Sequence, residues 1–393
     1  MSVLALAFAY LRTQALATAL TLLLLTLGVG SIVVVLLFGE ELDRRLTRDL
    51  AGIDLVVGAK GSPLQLILSA VYHVDVPTGN VGRAEAEKIS AHPLVRAAIP
   101  LALGDSVGGF RIVGTTPAYV AHYRGALAAG RLWQDHMEAV LGADAAARLG
   151  LAVGGEFVGS HGLSGAGHAH ADHPYEVVGV LARSGTVLDR LVLTSMESVW
   201  EVHPRPAGQA QSSEEITALL LQYKSPLAAV QLPRLINQQT ALQAASPAIE
   251  SARLFNLLGF GLAIFRGFAL LLIATAALGM FLALYNALKE RQYDLAVMRT
   301  LGASRTDVFA LVLLEGLLLS AAGAALGVIA GHLAAEALAV WLRSTQQLPM
   351  NAGLFLWREL LPVALALAAG ALAALPPALR AYRLDIAQVL ARG

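Results

Sequence analysis
The residue types best suited to chemistry lie in one short stretch. His161, His168, His170 and His173 fall, with Asp172, between Ser160 and Pro174. Neutral imidazole and carboxylate are ligands for Zn²⁺, and equally for Cu²⁺ or Ni²⁺. Four of the ten histidines of the chain are in this stretch, and the glycines around them leave the backbone free to wrap an ion. The competing reading is a solvated polar loop between two strands that binds metal only weakly. Zinc is the cofactor this stretch raises, and its ligand set would be drawn from those four histidines and Asp172.

Other chemistries are excluded or weakened by what the chain lacks. It has no cysteine, so disulfides, thiolate metal sites and a cysteine nucleophile are ruled out. There is no H-E-x-x-H helix and no G-x-x-x-x-G-K-S/T loop to cradle a nucleotide phosphate. The chain is therefore read as not an enzyme, with no cofactor of its own apart from zinc. Basic and acidic residues balance at 28 each, which argues against nucleic acid. Two polar sites fall inside apolar runs. Glu315 is expected to pack against another helix or reach the interface, and His332 with Glu336, spaced i, i+4, to form an interfacial pair.

These residues sit in a chain that is 56 % apolar and only 14 % charged, well below the ~25 % charge of soluble domains. A bilayer core takes about 20 apolar helical residues. Ala15–Phe38, Gly267–Leu288, Val308 to about Ala330 and Leu360–Leu379 each meet that length. The first run exceeds the apolar region of a secretory signal and lacks a small-residue cleavage site, so it reads as an anchor. Basic residues flank both ends of the spans and set orientation only weakly. The long stretch between the first two runs alternates strand and helix signals. Strands are expected at Ile53–Val57, Gly109–Gly114, Phe157–Gly159 and Tyr175–Val180, and helices at Ala84–Ala91, from Ser195, and over Pro226–Gln243. The fold class is thus integral membrane α-helical, four transmembrane helices with a large α+β extracytoplasmic domain inserted between helices 1 and 2.

The stretch from Leu288 to Ser304 is the most specific in the chain. Tyr293, Val297 and Leu301 share a helical face. Gly302 suits the left-handed residue that ends a helix, and Ser304 with Asp307 suits the cap that opens the next. The order Glu290-Arg291, Asp294-Leu295-Ala296, Arg299-Thr300-Leu301-Gly302-Ala303 resembles the cytoplasmic motif of MacB, FtsX and LolC/LolE-type permeases, the type VII ABC transporters or mechanotransmitters. Asp294 stands where Glu is usual and Thr300 where Ala is usual. Val312–Gly316 and the tail Pro377–Asp385 extend the resemblance more loosely.

The resemblance implies a permease subunit whose elbow docks on a separate ABC ATPase, with ATP and Mg²⁺ bound by that partner. Glu290, Arg291, Asp294, Arg299 and Leu301 would then be coupling residues and Gly302 the hinge. Two ATPases imply two permease chains, a homodimer or a related heterodimer. A periplasmic or lipoprotein partner and membrane lipids complete the implied set, at a bacterial inner membrane. The organisation expected is 1–39 with the first span, 40–262 the outer domain in two lobes, 263–288 the second span, 289–307 the elbow, 308–342 the third span, 343–359 an outer loop, 360–379 the fourth span and 380–393 a cytoplasmic tail. The competing functions are a metal-sensing membrane receptor and a membrane metalloenzyme, both built on the histidine loop.

Overall fold
The computed structural model describes residues 15–162, 172–202, 214–345 and 355–385, with positions 6, 7, 12 and 389. The chain divides into two units, Met1–Asp43 with Leu258–Gly393, and Arg44–Leu257.

Helix α1 (Ala15–Leu50) opens the described chain. The α+β block follows as β1 (Leu55–Ala59), α2 (Pro63–Ala70), β2 (Val81–Gly82), α3 (Arg83–Ser90), β3 (Val95–Val107), β4 (Phe110–Gly114), α4 (Pro117–His122), β5 (Leu127–Gly130), β6 (Glu138–Leu141) and α5 (Ala143–Leu149). It continues as β7 (Glu156–Phe157), β8 (Ser160–His161), β9 (Tyr175–Leu181), β10 (Leu191–Thr194), α6 (Met196–Val202), β11 (Glu215–Ile216), β12 (Ala218–Tyr223), α7 (Pro226–Gln239) and β13 (Leu242–Ala245). Helices α8 (Pro247–Glu290), α9 (Gln292–Thr300), α10 (Arg305–Thr345) and α11 (Leu360–Tyr382) complete it.

Among the described residues, four helical segments are long and apolar enough to cross a membrane: α1, α8, α10 and the stretch Trp357–Tyr382 that contains α11. Within the helical unit, small residues set how closely the helices pack. Gly323, Gly327 and Gly331 repeat every four residues on α10 and face Leu25, Val29 and Val33 of α1. A Cβ on Gly327 would lie 2.6 Å from that of Val29, and one on Gly331 2.8 Å from that of Val33. Hydrophobic driving force between helices is small in lipid, so such close backbone approach supplies the packing energy. The sequence reading found the spans but not this seam.

In the α+β unit, the order β13-β1-β12-β3-β4-β10-β6-β9-β5 forms one mixed sheet, with β7 on β9 and β8 on β3. Two apolar cores flank it. One gathers Leu55, Val57, Leu219, Leu221, Leu232 and Ile236, and the other Ile112, Leu141, Phe157, Val177 and Val192. The two cores share one sheet, in which the long strand β3 lies between them. Its hairpin with β4 turns on Gly108 and Gly109, both at positive φ (53° and 81°), the backbone a two-residue type I′ turn requires. Gly108-Gly109 is a sequence-visible signal for that turn.

The expected hairpin between Phe157 and Tyr175 is present, with Phe157 opposite Tyr175. The helix expected over Pro226–Gln243 stops earlier. Thr240 and Asn237 end it: the Thr240 hydroxyl donates to the Ile236 carbonyl at 2.7 Å, and Asn237 Oδ1 accepts the Ala244 N–H at 2.7 Å. Leu242–Ala245 is thereby released to pair with β1.

Candidate functional site
The elbow is built from local rules and then packed against residues distant in sequence. Helix α8 ends at Glu290, and Arg291 leaves helical geometry at φ −102°, ψ 11° before α9 begins. At the far end, the Gly302 N–H donates to the Arg299 carbonyl at 3.2 Å and the Ala303 N–H to the Met298 carbonyl at 3.1 Å. With Gly302 at φ 108°, this is a Schellman stop, which only a residue without Cβ adopts cheaply. Helix α10 starts at once. The Ser304 N–H donates to Asp307 Oδ2 at 2.7 Å, and the Asp307 N–H donates to Ser304 Oγ at 3.1 Å, a reciprocal capping box.

The buried face of α9 is Leu295 and Ala296, with Leu295 in a cluster of Leu288, Val308, Leu311, Val312, Ala378 and Ala381. The opposite face is open. Tyr293 is 53 % exposed and Leu301 82 % exposed, and Glu290, Asp294 and Thr300 are exposed beside them. Val297 is half-buried, so the face read from Tyr293, Val297 and Leu301 is mostly exposed.

Two arginines depart from the sequence expectation that the elbow's charges face outward. Arg291 turns inward, with Nη1 3.4 Å from Glu315 Oε1 and side-chain exposures of 14 % and 5 %. Glu315 is thus packed against the elbow rather than reaching the interface. Arg299 is half-buried, and its Nε is covered by protein. Around the same end, the Arg380 guanidinium lies 4.8 Å over the Tyr285 ring and bonds its hydroxyl, and the Lys289 ammonium is 5.0 Å from that ring.

The expected His332–Glu336 pair is replaced by another. His332 Nε2 lies 2.8 Å from Glu359 Oε2, and Glu359 is fully buried and also accepts the Leu356 N–H at 2.8 Å. The turn before α11 brings Glu359 to His332, which spacing along one helix could not reveal. Between α1, α8 and α10 lies an apolar cleft of about 530 Å³, lined by Gly30, Val34, Phe38, Phe265, Ala334 and Leu338 among others.

At the histidine loop, His168 and His170 lie outside the described residues. His161 Nδ1 stands 3.2 Å from Asp105 Oδ1 on β3, and His173 Nδ1 3.8 Å from Glu201 Oε1 on α6. His136, which the sequence reading left out, also faces Glu201, at 3.8 Å. Among the described residues no three His, Asp or Glu converge on a point that could hold one ion.

A buried polar cluster in the outer unit was also missed. The Tyr123 hydroxyl donates to the Asp49 carbonyl at 2.8 Å, Asp49 Oδ1 accepts the Val187 N–H at 2.8 Å, and Arg190 is 3.6 Å from Asp49 Oδ2. Nearby, His73 is buried at φ 53° with Nε2 2.9 Å from the Tyr119 hydroxyl. Burial pushes its imidazole well below the ordinary range, and Arg111 and Arg190 add to that. Its members come from four separate stretches of chain, so no local motif announces them.

Residues 18–239 match the MacB-like periplasmic core domain, and residues 266–386 match the FtsX-like permease C-terminal family. Among solved structures, the periplasmic region of MacB from Actinobacillus actinomycetemcomitans is 14 % identical, over 53 % of this chain and 96 % of that one, with a TM-score of 0.35. The extracellular domain of the noncanonic ABC-type transporter YknZ from Gram-positive bacteria is 14 % identical, over 49 % and 99 %, with a TM-score of 0.31. No curated protein matches the chain. The chain belongs to the MacB/FtsX-type permeases. It is an ABC transporter permease with four membrane-crossing helices and a MacB-like periplasmic core domain.

Proposed function
We propose that this chain is the permease half of an ATPase-driven machine at a bacterial inner membrane, its α+β unit in the periplasm. A separate ABC ATPase docks on the elbow, and ATP-driven closure moves the elbow and, through the spans, the outer domain. The observation that carries this reading is helix α9, set off by the backbone break at Arg291 and the Schellman stop at Gly302, which leaves Tyr293, Asp294 and Leu301 exposed with Glu290 at its start. Two ATPases require two permease chains. The work done is export, extraction or mechanotransmission at the outer face. The apolar cleft suits lipid or apolar cargo better than a polar solute.

The test is capture from native membranes. The tagged wild-type chain is expected to co-purify an ABC ATPase and ATP hydrolysis. Asp294→Lys with Leu301→Asp, both exposed, leaves insertion intact and lowers capture by roughly tenfold or more. Equal capture by this variant would reject the surface.

A second reading, zinc binding at the histidine loop, is favoured by the carboxylates that face His161 and His173 at its two ends. A carboxylate behind an imidazole orients it for a metal. Zinc would then link the permease to metal homeostasis or to a metal-binding cargo.

A further inference from the structure
We propose that Arg291 and Glu315 form a latch that locks the elbow to the third span, so that thrust on α9 reaches α10 instead of being lost as bending at the α8/α9 break. This rests on the reading of the elbow as the ATPase-contact surface. It assigns Arg291 a different task from contact, since its guanidinium is turned away from that surface.

Three observations converge on one residue. Arg291 is where the backbone leaves α8, so flexure between α8 and α9 would occur there. Its guanidinium is 3.4 Å from Glu315, with both side chains largely shielded from water. The small void around the pair is otherwise lined by Leu284, Ala287, Leu288, Leu295, Leu311 and Val312, all apolar. In such surroundings a carboxylate and a guanidinium are held together by strong attraction and by the cost of leaving either alone. A pair of this kind has a specific geometry, whereas apolar packing alone would let α9 slide.

The far end of α9 passes into α10 through a short linker ordered on one side by the Schellman stop and on the other by the Ser304–Asp307 capping box. The latch fixes the near end to the same helix, one side chain reaching a residue 24 positions away. With both ends held, α9 and the start of α10 move as one piece. Without the latch, α9 is a lever fixed at one end. Arg291 and Glu315 are thus positioning residues, acting through the elbow without touching the partner.

The chain has no cysteine, so a single nitroxide on Gln292→Cys, at the end of α9 that the latch holds, reports that end alone. In the purified full-length permease the label is expected to be immobile in the otherwise wild-type chain and mobile in Arg291→Gln and in Glu315→Gln. With the captured ATPase, the same two variants are expected to retain capture but lose hydrolysis coupling by roughly tenfold or more. Exchanging the charges, Arg291→Glu with Glu315→Arg, is expected to restore both readouts, the pairwise signature that separate structural damage does not give. A label as immobile in both single variants as in wild type overturns the latch. If a single variant fails to insert, the exchanged chain decides: immobility there supports the pair, and mobility rejects it. Wild-type capture is measured alongside. Loss of capture with an intact label pattern would reject the docking reading and leave the latch standing.

Discussion
Each imidazole at the ends of the histidine loop faces a carboxylate from a different element. His161 meets Asp105 of β3, and His173 shares Glu201 of α6 with His136. The separations to Glu201, 3.8 Å, exceed a hydrogen bond, so these side chains are near each other without being bound. Imidazole ligates metal only when neutral, so affinity falls as protons compete in acid. Calorimetry on the full-length chain is therefore expected to show Zn²⁺ binding at neutral pH that disappears near pH 5. His161→Ala with His173→Ala should weaken it at least about tenfold. Equal affinity in both proteins would make the loop a solvated connection. The elbow, in the other unit, is expected to capture ATPase equally well in either case.

Helix α10 carries the most structural duties of any element. Its first turn closes the elbow, Glu315 holds Arg291, and the glycine series 323, 327, 331 receives Leu25, Val29 and Val33 of α1. Glycine is a poor helix former in water, by about 1 kcal/mol relative to Ala. Here it is retained because any Cβ would occupy the space of the facing valines. Gly327→Leu should therefore push α1 from α10 and lower stability by about 1–3 kcal/mol, the usual cost of overpacking. The measurement is the thermal unfolding midpoint of the detergent-purified chain. Gly259→Leu is the control, because a Cβ at Gly259 meets nothing within 4 Å and should not lower the midpoint. A Gly327→Leu midpoint equal to wild type would show that the seam can relax at no cost.

At the scale of the whole molecule, two long helices belong in part to each unit. Helix α1 continues to Leu50 and α8 begins at Pro247, both well beyond the apolar runs that identify them as spans. Inside the outer unit the end of α1 is held by Asp49, through Val187, Arg190 and Tyr123, and by Arg48, whose Nη1 donates to the Gly185 carbonyl at 3.0 Å. The proposed periplasmic placement of the α+β unit is open to direct test. With no native cysteine to interfere, Lys88→Cys is expected to react with an impermeant thiol reagent outside spheroplasts. Ser304→Cys should react only after permeabilisation. The reverse order would overturn the assignment of the α+β unit to the periplasm.

The sequence by itself determined the features that follow from local or one-dimensional rules. A bilayer demands a minimum apolar length, so the four spans are visible as runs of composition. Helix caps depend on residues three to six apart, so Gly302 and the Ser304–Asp307 pair identified the elbow before any coordinates. Short apolar runs placed β4 and the hairpin between Phe157 and Tyr175 in the same way, although β4, read as alternating and half-buried, is buried along its whole length. Tertiary structure alone decided which partner each long side chain takes. Arg291 points to Glu315, and His332 to Glu359 instead of Glu336, because helix packing brings together residues that no periodicity links. The glycine seam on α10 shows the same division. Its spacing is plain in the chain, but its meaning depends on Val29 and Val33, which the fold brings against it from about 300 residues away. Short-range hydrogen-bond geometry is written in sequence; the choice among distant buried partners is made by packing, which minimises uncompensated charge and empty space over the whole fold at once.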